Sequence, residues 1–158
     1  METMINAPDD ADISRLINQH MTLEGPLLPI LHAFQERYGH IPDKAMAPIA
    51  ATLNITKAEL HGVISFYHDF REKPAGRHLI RICRGEACQS MGANRLAEEA
   101  LSSLGLDWYQ TTKDNEVTVE PVFCLGLCAC APAASVDGKL MGRVTAARIS
   151  STLKEAAQ

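Results

Sequence analysis

Five cysteines occur in this 158-residue chain, yet no two of them form a C-x-x-C motif. That absence removes the usual dithiol oxidoreductase, in which such a pair sits at a helix N-terminus and the dipole lowers a thiol pKa. No G-x-G-x-x-G run is present, so the dinucleotide fingerprint is missing. The histidines, His20, His32, His40, His61, His68 and His78, never fall in H-x-x-H spacing, and each reads as a surface or packing residue. No acid–base pair stands out, and no catalytic residue is assigned. No apolar run reaches the length of a membrane span, so the chain is expected not to be membrane-embedded. The N-terminal residues lack both a basic start and an apolar core, which excludes a signal peptide. The expected location is therefore cytoplasmic, where cysteines serve as ligands, catalysts or core rather than in disulfides. An excess of cations is missing too. The formal charge is −4 and the pI near 5.8, which argues against a nucleic-acid partner.

What is present suffices for a globular core, with 46% hydrophobic and 22% charged residues. The length fits one domain, or one domain with a small appendage. Residues up to about Ala11 read as loose. From Asp12, Ile13, Leu16, Ile17 and Met21 recur at helical spacing. After Glu24-Gly25-Pro26, the residues Leu27, Leu31, Phe34 and Tyr38 mark a second helix that Gly39 ends. A third begins with Asp43 as cap and turns Met46, Ile49, Ala50 and Leu53 inward, closing at Asn54. Thr56-Lys57-Ala58-Glu59 is a capping box. It opens a fourth helix with Leu60, Val63, Ile64 and Tyr67 on its buried side; Phe66 and Tyr67 both read as core.

Residues 71–77, charged and holding Pro74 and Gly76, mark a boundary. The period then changes. Residues 78–83 read as a strand ending on Cys83. Leu96, Ala97, Ala100, Leu101 and Leu104 form a helix face ended by Gly105. Residues 106–111 and 117–121 read as strands around a turn at residues 113–115. Ala133-Ala134-Ser135-Val136 and Lys139-Leu140-Met141 flank Asp137-Gly138, a hairpin signal. Thr145 caps a last helix carrying Ile149 and Leu153. The expected class is α/β, with a helical subdomain over residues 12–72 and a mixed sheet with packed helices over residues 77–158.

The cysteines carry the chemistry. Cys83 and Cys88 form C-x4-C, Cys124 and Cys128 form C-x3-C, and Cys130 is left over. The second group lies in an apolar stretch bounded by Pro121 and Pro132 and loosened by Gly126, a poor helix or strand and a good metal loop. Four thiolates could hold a structural zinc, though zinc favours shorter knuckles. They could equally hold a [2Fe–2S] cluster, two thiolates on each iron. Spacing alone leaves both open.

Cys83-Arg84-Gly85-Glu86-Ala87-Cys88, followed by Cys124-Leu125-Gly126-Leu127-Cys128 and Ala131-Pro132, resembles the thioredoxin-like [2Fe–2S] ferredoxin family. That family includes the 24-kDa-type subunit of NADH:quinone oxidoreductase and relatives in NAD-linked hydrogenases and formate dehydrogenases. The resemblance covers nearly the whole chain. It implies a thioredoxin-like domain behind a four-helix N-terminal subdomain, and one [2Fe–2S] cluster on Cys83, Cys88, Cys124 and Cys128. Residues 64–70 and 83–92 look most like the gamma subunit of NAD-dependent, molybdenum-containing formate dehydrogenase. The implied partners are a flavin- and NAD-binding subunit in direct contact and a molybdenum-cofactor catalytic subunit in the same complex. The equivalent subunit of NADH:quinone oxidoreductase or of an NAD-linked hydrogenase is the alternative. On the assigned ligands, Cys83 ends a strand and Cys88 occupies the turn before the next helix. Gly85 and Gly126 let backbone N–H groups approach the sulfurs, or serve as tight turns. Arg84 places a cation between two ligands, which favours the more negative reduced cluster, and Glu86 partly opposes it. Cys130 reads as a packed thiol rather than a ligand.

One rival remains. Residues 50–64 have the rhythm of a helix-turn-helix, which suggests a metal-binding DNA-binding regulator. The would-be recognition helix offers only Lys57 as a cation. Phosphate contacts supply most of the affinity for DNA, so two helices packed through a short turn is the better reading.

Overall fold

The computed structural model describes residues 8–156. The chain divides between Pro74 and Ala75 into two compact units. The first contains four helices: α1 (Asp10–Asn18), α2 (Leu27–Tyr38), α3 (Asp43–Leu53) and α4 (Lys57–Phe66). Their apolar faces meet in one core that includes Ile13, Ile30, Leu31, Phe34, Ile41, Ile49, Leu60 and Ile64. A fully buried side chain of this size contributes about 1.5–3 kcal/mol relative to exposure.

Helix α1 starts two residues before its expected position. The Asp9 carboxylate accepts the Asp12 N–H at 2.7 Å and caps it there. Residues 8–11 are thus not a loose lead-in, and residues 1–7 lie outside the described ones. The helix ends before Met21, which is 38% exposed rather than inward-facing. Asp12 instead ties α1 to α2. Its carboxylate pairs with Arg15, accepts the Tyr38 hydroxyl at 2.8 Å, and meets Arg37 at 3.2 Å. The bonds from Arg15 and then Tyr38 hold its pKa at about 2. Asp43 is the first residue of α3 and Pro42 its cap, a non-donor preset for helix entry. Thr56 and Glu59 form the expected reciprocal capping box. Phe66 and Tyr67 are not core: they are 75% and 44% exposed and stack edge to face on each other. Helix α4 ends at Phe66, so both rings fall beyond the stripe of Leu60 and Ile64.

The second unit holds β1 (His78–Cys83), α5 (Glu86–Ser90), α6 (Ala93–Leu104), β2 (Val117–Val122), β3 (Ala133–Val136), β4 (Lys139–Gly142) and α7 (Ala146–Ala156). The sheet order is β2-β1-β3-β4. Strand β1 runs parallel to β2, with Cys83 opposite Val122, and antiparallel to β3, with Ile82 opposite Ala134. The β1–β2 crossover carries α6 and the β3–β4 link is a hairpin, as each pairing direction requires. Asp137 and Gly138 at its tip have φ of +49° and +79°, the left-handed pair of a type I′ turn. The core gathers Ile80, Ile82, Val119 and Val136 under Leu96, Ala97 and Ile149.

Residues 106–111 form no strand. Gly105 reverses the chain at the end of α6, and a turn over residues 107–110 follows. There the Gln110 side chain accepts the Asp107 N–H at 3.0 Å, one of the local bonds that compete with a ladder. Only Thr111 bridges to β2, opposite Thr118. Among the described residues, no helix is long and apolar enough to cross a membrane.

Candidate metal centre

At one end of the sheet a small apolar cluster forms around Cys83, Cys88, Ala93, Ala131 and Ala133, with Val122, Leu125 and Leu127 packed against it. Alternation along β1 buries Ile80 and Ile82, and the strand ends with Cys83 3% exposed. The chain then turns through Arg84 and Gly85 into α5. Cys88, 2% exposed, lies inside that helix turn and not in a loop before it. The second group follows β2. Cys124 and Cys128 are exposed, and Cys128–Cys130 form a single 3-10 turn. No cysteine is in a disulfide.

The two groups meet through glycine. A Cβ on Gly85 would lie 3.0 Å from the Phe123 carbonyl and 3.6 Å from Cys83 Sγ, so only a bare Cα lets the loops close to this distance. Gly126, at φ +75°, turns its N–H to Cys124 Sγ at 3.3 Å. An N–H so placed favours a negative sulfur and tunes whatever it ligates. Ala133 packs in the same buried cluster as Cys88.

The thiols stand as two pairs. Burial, and then the Cys83 thiol, push the Cys88 thiol above its ordinary value; the Cys124 thiol does the same to Cys128. Across the pairs Cys128 acts on Cys88 and Cys83 on Cys128. Among the described residues, no three donors gather on one point suited to a single ion. Two pairs of soft donors suit a [2Fe–2S] core, two thiolates on each iron. The donor set fits that group.

Cys130 is half-buried and packs on β4. Its Cβ would be 2.6 Å from a Cβ at Gly142, and its carbonyl accepts the Arg143 N–H at 2.6 Å. Gly142 is a structural residue that the sequence reading passed over. Its signal was available, because an isolated glycine in a strand marks a close backbone approach.

A mixed sheet that carries two cysteine pairs at one end, with the Gly126 N–H on the Cys124 sulfur, has the donor set of an iron–sulfur electron carrier. The sequence profile of the thioredoxin-like [2Fe-2S] ferredoxins matches residues 13–157. The chain is 32% identical to the HndA subunit of the NADP-reducing hydrogenase of Solidesulfovibrio fructosivorans, over 84% of this chain and 77% of that protein. It is 37% identical to a subunit of the NADH-quinone oxidoreductase of Pseudomonas aeruginosa, over 72% and 69% respectively. A chain of an air-oxidized NAD+-reducing [NiFe]-hydrogenase superposes with a TM-score of 0.68 at 27% identity, covering 83% of this chain but 22% of that one. The chain belongs to the thioredoxin-like [2Fe-2S] ferredoxin family. Its cofactor is one [2Fe–2S] cluster, and its class is electron transfer within an oxidoreductase.

Proposed function

We propose that Cys83, Cys88, Cys124 and Cys128 hold the cluster, and that the chain is the electron-transfer subunit of a cytoplasmic NAD-linked formate dehydrogenase complex. Within it, residues 77–158 are the electron-carrying domain and residues 12–72 a helical subdomain. The observation that carries the ligand reading is the approach of the two thiol pairs across Gly85, with Phe123 of the second loop seated against the first. When bound, the cluster supplies reversible one-electron transfer.

The protein's own residues do the rest. β1 and α5 hold Cys83 and Cys88 away from water. Gly126 donates its N–H to the Cys124 sulfur. Cys124 and Cys128 lie on the surface, where a donor or acceptor on another subunit can approach. The partner in direct contact would be a flavin- and NAD-binding subunit, with a molybdenum-cofactor catalytic subunit further along. The sequence of residues 64–70, in the helical unit, and of residues 83–92, around the first cysteine pair, supports the formate dehydrogenase branch.

The equivalent place in an NADH:quinone oxidoreductase or an NAD-linked hydrogenase is the second reading, favoured by the names of the relatives above. Isolation of the intact complex from its native host decides between them. Formate-dependent NAD reduction with molybdenum in the preparation is expected. Hydrogen- or quinone-linked turnover without formate activity would replace the first reading by the second.

A further inference from the structure

We propose that Trp108 is a positioning residue that holds the Arg84 guanidinium beside the Cys83 end of β1 and so raises the reduction potential of the cluster. This rests on Cys83 being a ligand. Arg84 follows Cys83 directly, and its backbone is pinned on both sides. Its N–H donates to the Val122 carbonyl at 2.7 Å, and its own carbonyl accepts from Gln89 Nε2 at 2.7 Å. The side chain therefore starts from a fixed point next to the ligand. Its guanidinium carbon lies 5.4 Å from the centre of the Trp108 ring, within cation–π range. Its Nε is buried and has no hydrogen-bond partner. Among the described residues no carboxylate pairs with it. Arg84 is half-buried, and the field of a partly buried cation without a carboxylate partner is screened less than that of an exposed one.

The turn that presents Trp108 is independently constrained. Tyr109 has φ +64°, a left-handed conformation that is a genuine outlier for so bulky a residue. Such a conformation persists where the surroundings over-determine it. Here the Tyr109 N–H is tied to the Val119 carbonyl at 2.8 Å, on a fully buried residue of β2, and the Gln110 N–H to the Asp107 carbonyl at 3.2 Å. Trp108 itself packs on the sheet core. The turn sets the ring, and the ring sets the cation. The reduced cluster carries one more negative charge than the oxidised one, so a fixed cation beside it stabilises the reduced form.

Redox titration of the holoprotein, followed by electron paramagnetic resonance, tests this. Arg84→Gln is expected to lower the reduction equilibrium on the order of tenfold, about 59 mV for a one-electron couple. Trp108→Leu should move it the same way by a smaller factor, and Trp108→Phe, which keeps an aromatic face, should restore most of it. The double variant should shift no further than Arg84→Gln alone, because both act through one charge. A Trp108→Leu protein with full iron and an unshifted potential overturns the proposal. Trp108 is the one tryptophan of the chain, so its emission gives a second readout if that variant fails to fold. The emission should change in Arg84→Gln, and an unchanged spectrum would overturn the contact. Failure of the ligand reading looks different: Cys83→Ser would then keep its iron and its normal signal.

Discussion

Cys83 and Cys88 are 3% and 2% exposed, one at the end of a central strand and one inside a helix turn, whereas Cys124 and Cys128 lie exposed in a loop. The first pair is set by the sheet and α5. Cys83 is fixed by pairing with Val122 of β2 at the end of a strand that β3 also flanks, and Cys88 by the turn of α5, whatever the thiols hold. The second pair is anchored mainly downstream, where Arg143 and Val144 donate to the Cys130 and Pro132 carbonyls at 2.6 and 3.0 Å. Between Phe123 and Leu127 the chain has neither helix nor strand, and it turns on Gly126. One arm of the centre is thus built on regular structure and the other on a loop, so under the proposed ligand set the second should depend more on the cluster for its order.

The largest effect should come from the ligands themselves. Cys83→Ala, Cys88→Ala and Cys124→Ala each remove one of two thiolates on an iron and should leave protein almost free of iron and acid-labile sulfide. Cys128→Ala should be the mildest of the four, because Cys130 stands two residues away in the same 3-10 turn and can take its place by a loop shift. Iron analysis and the reduced-state paramagnetic spectrum across the variants check this. A Cys130→Ala protein without its cluster, beside an intact signal in one of the other four, would refute the assignment.

Removing the cluster with a chelator sharpens the contrast between the arms. Amide hydrogen exchange should accelerate over residues 123–130 and change little at residues 80–83, which remain in the sheet. Equal acceleration in both would mean that the first arm depends on the cluster as much as the second.

A smaller effect is expected where the second arm leans on β4. Gly142→Ala sets a methyl 2.6 Å from Cys130 Cβ and 3.0 Å from its carbonyl. Overpacking of this kind costs about 1–3 kcal/mol, measurable by denaturant unfolding. Cys130→Ala, which removes only a sulfur, should cost about 1 kcal/mol and leave the spectrum normal. It should leave the Gly142→Ala penalty in place, because the added methyl meets the Cys130 Cβ and carbonyl, which alanine keeps.

The helical unit supplies the control, with the slightest change. The Asp12 pKa of about 2 is below its ordinary value because of Arg15, Tyr38 and Arg37. A lowered carboxylate pKa stabilises the fold above the unfolded value, near 4, and that stability is lost as pH falls towards 2. Asp12→Asn should therefore flatten the acid dependence of helical-unit unfolding over that window, followed by amide exchange in residues 10–38. An unchanged acid profile would show that the carboxylate does not tie α1 to α2.

The sequence by itself determined most of the elements. Periodicity located β1 and the α6 face, because it records which side of an element avoids water, and the Asp137-Gly138 turn located the hairpin. Cysteine spacing grouped the four thiols, since pairs close in sequence must be close in space. Local signals failed where partners distant in the chain decide. Residues 106–111 have strand-like composition, but the turn of residues 107–110, tied to Val119, wins over a full ladder. Phe66 and Tyr67 carry a core composition, yet α4 stops before it can turn them inward. Only the tertiary structure brought Phe123 against Gly85, Gly142 against Cys130 and Trp108 over Arg84. These contacts join residues 24 to 38 positions apart or, for Gly142, 12; a strand glycine signals that something comes close, but which residue does is decided only once the sheet has closed.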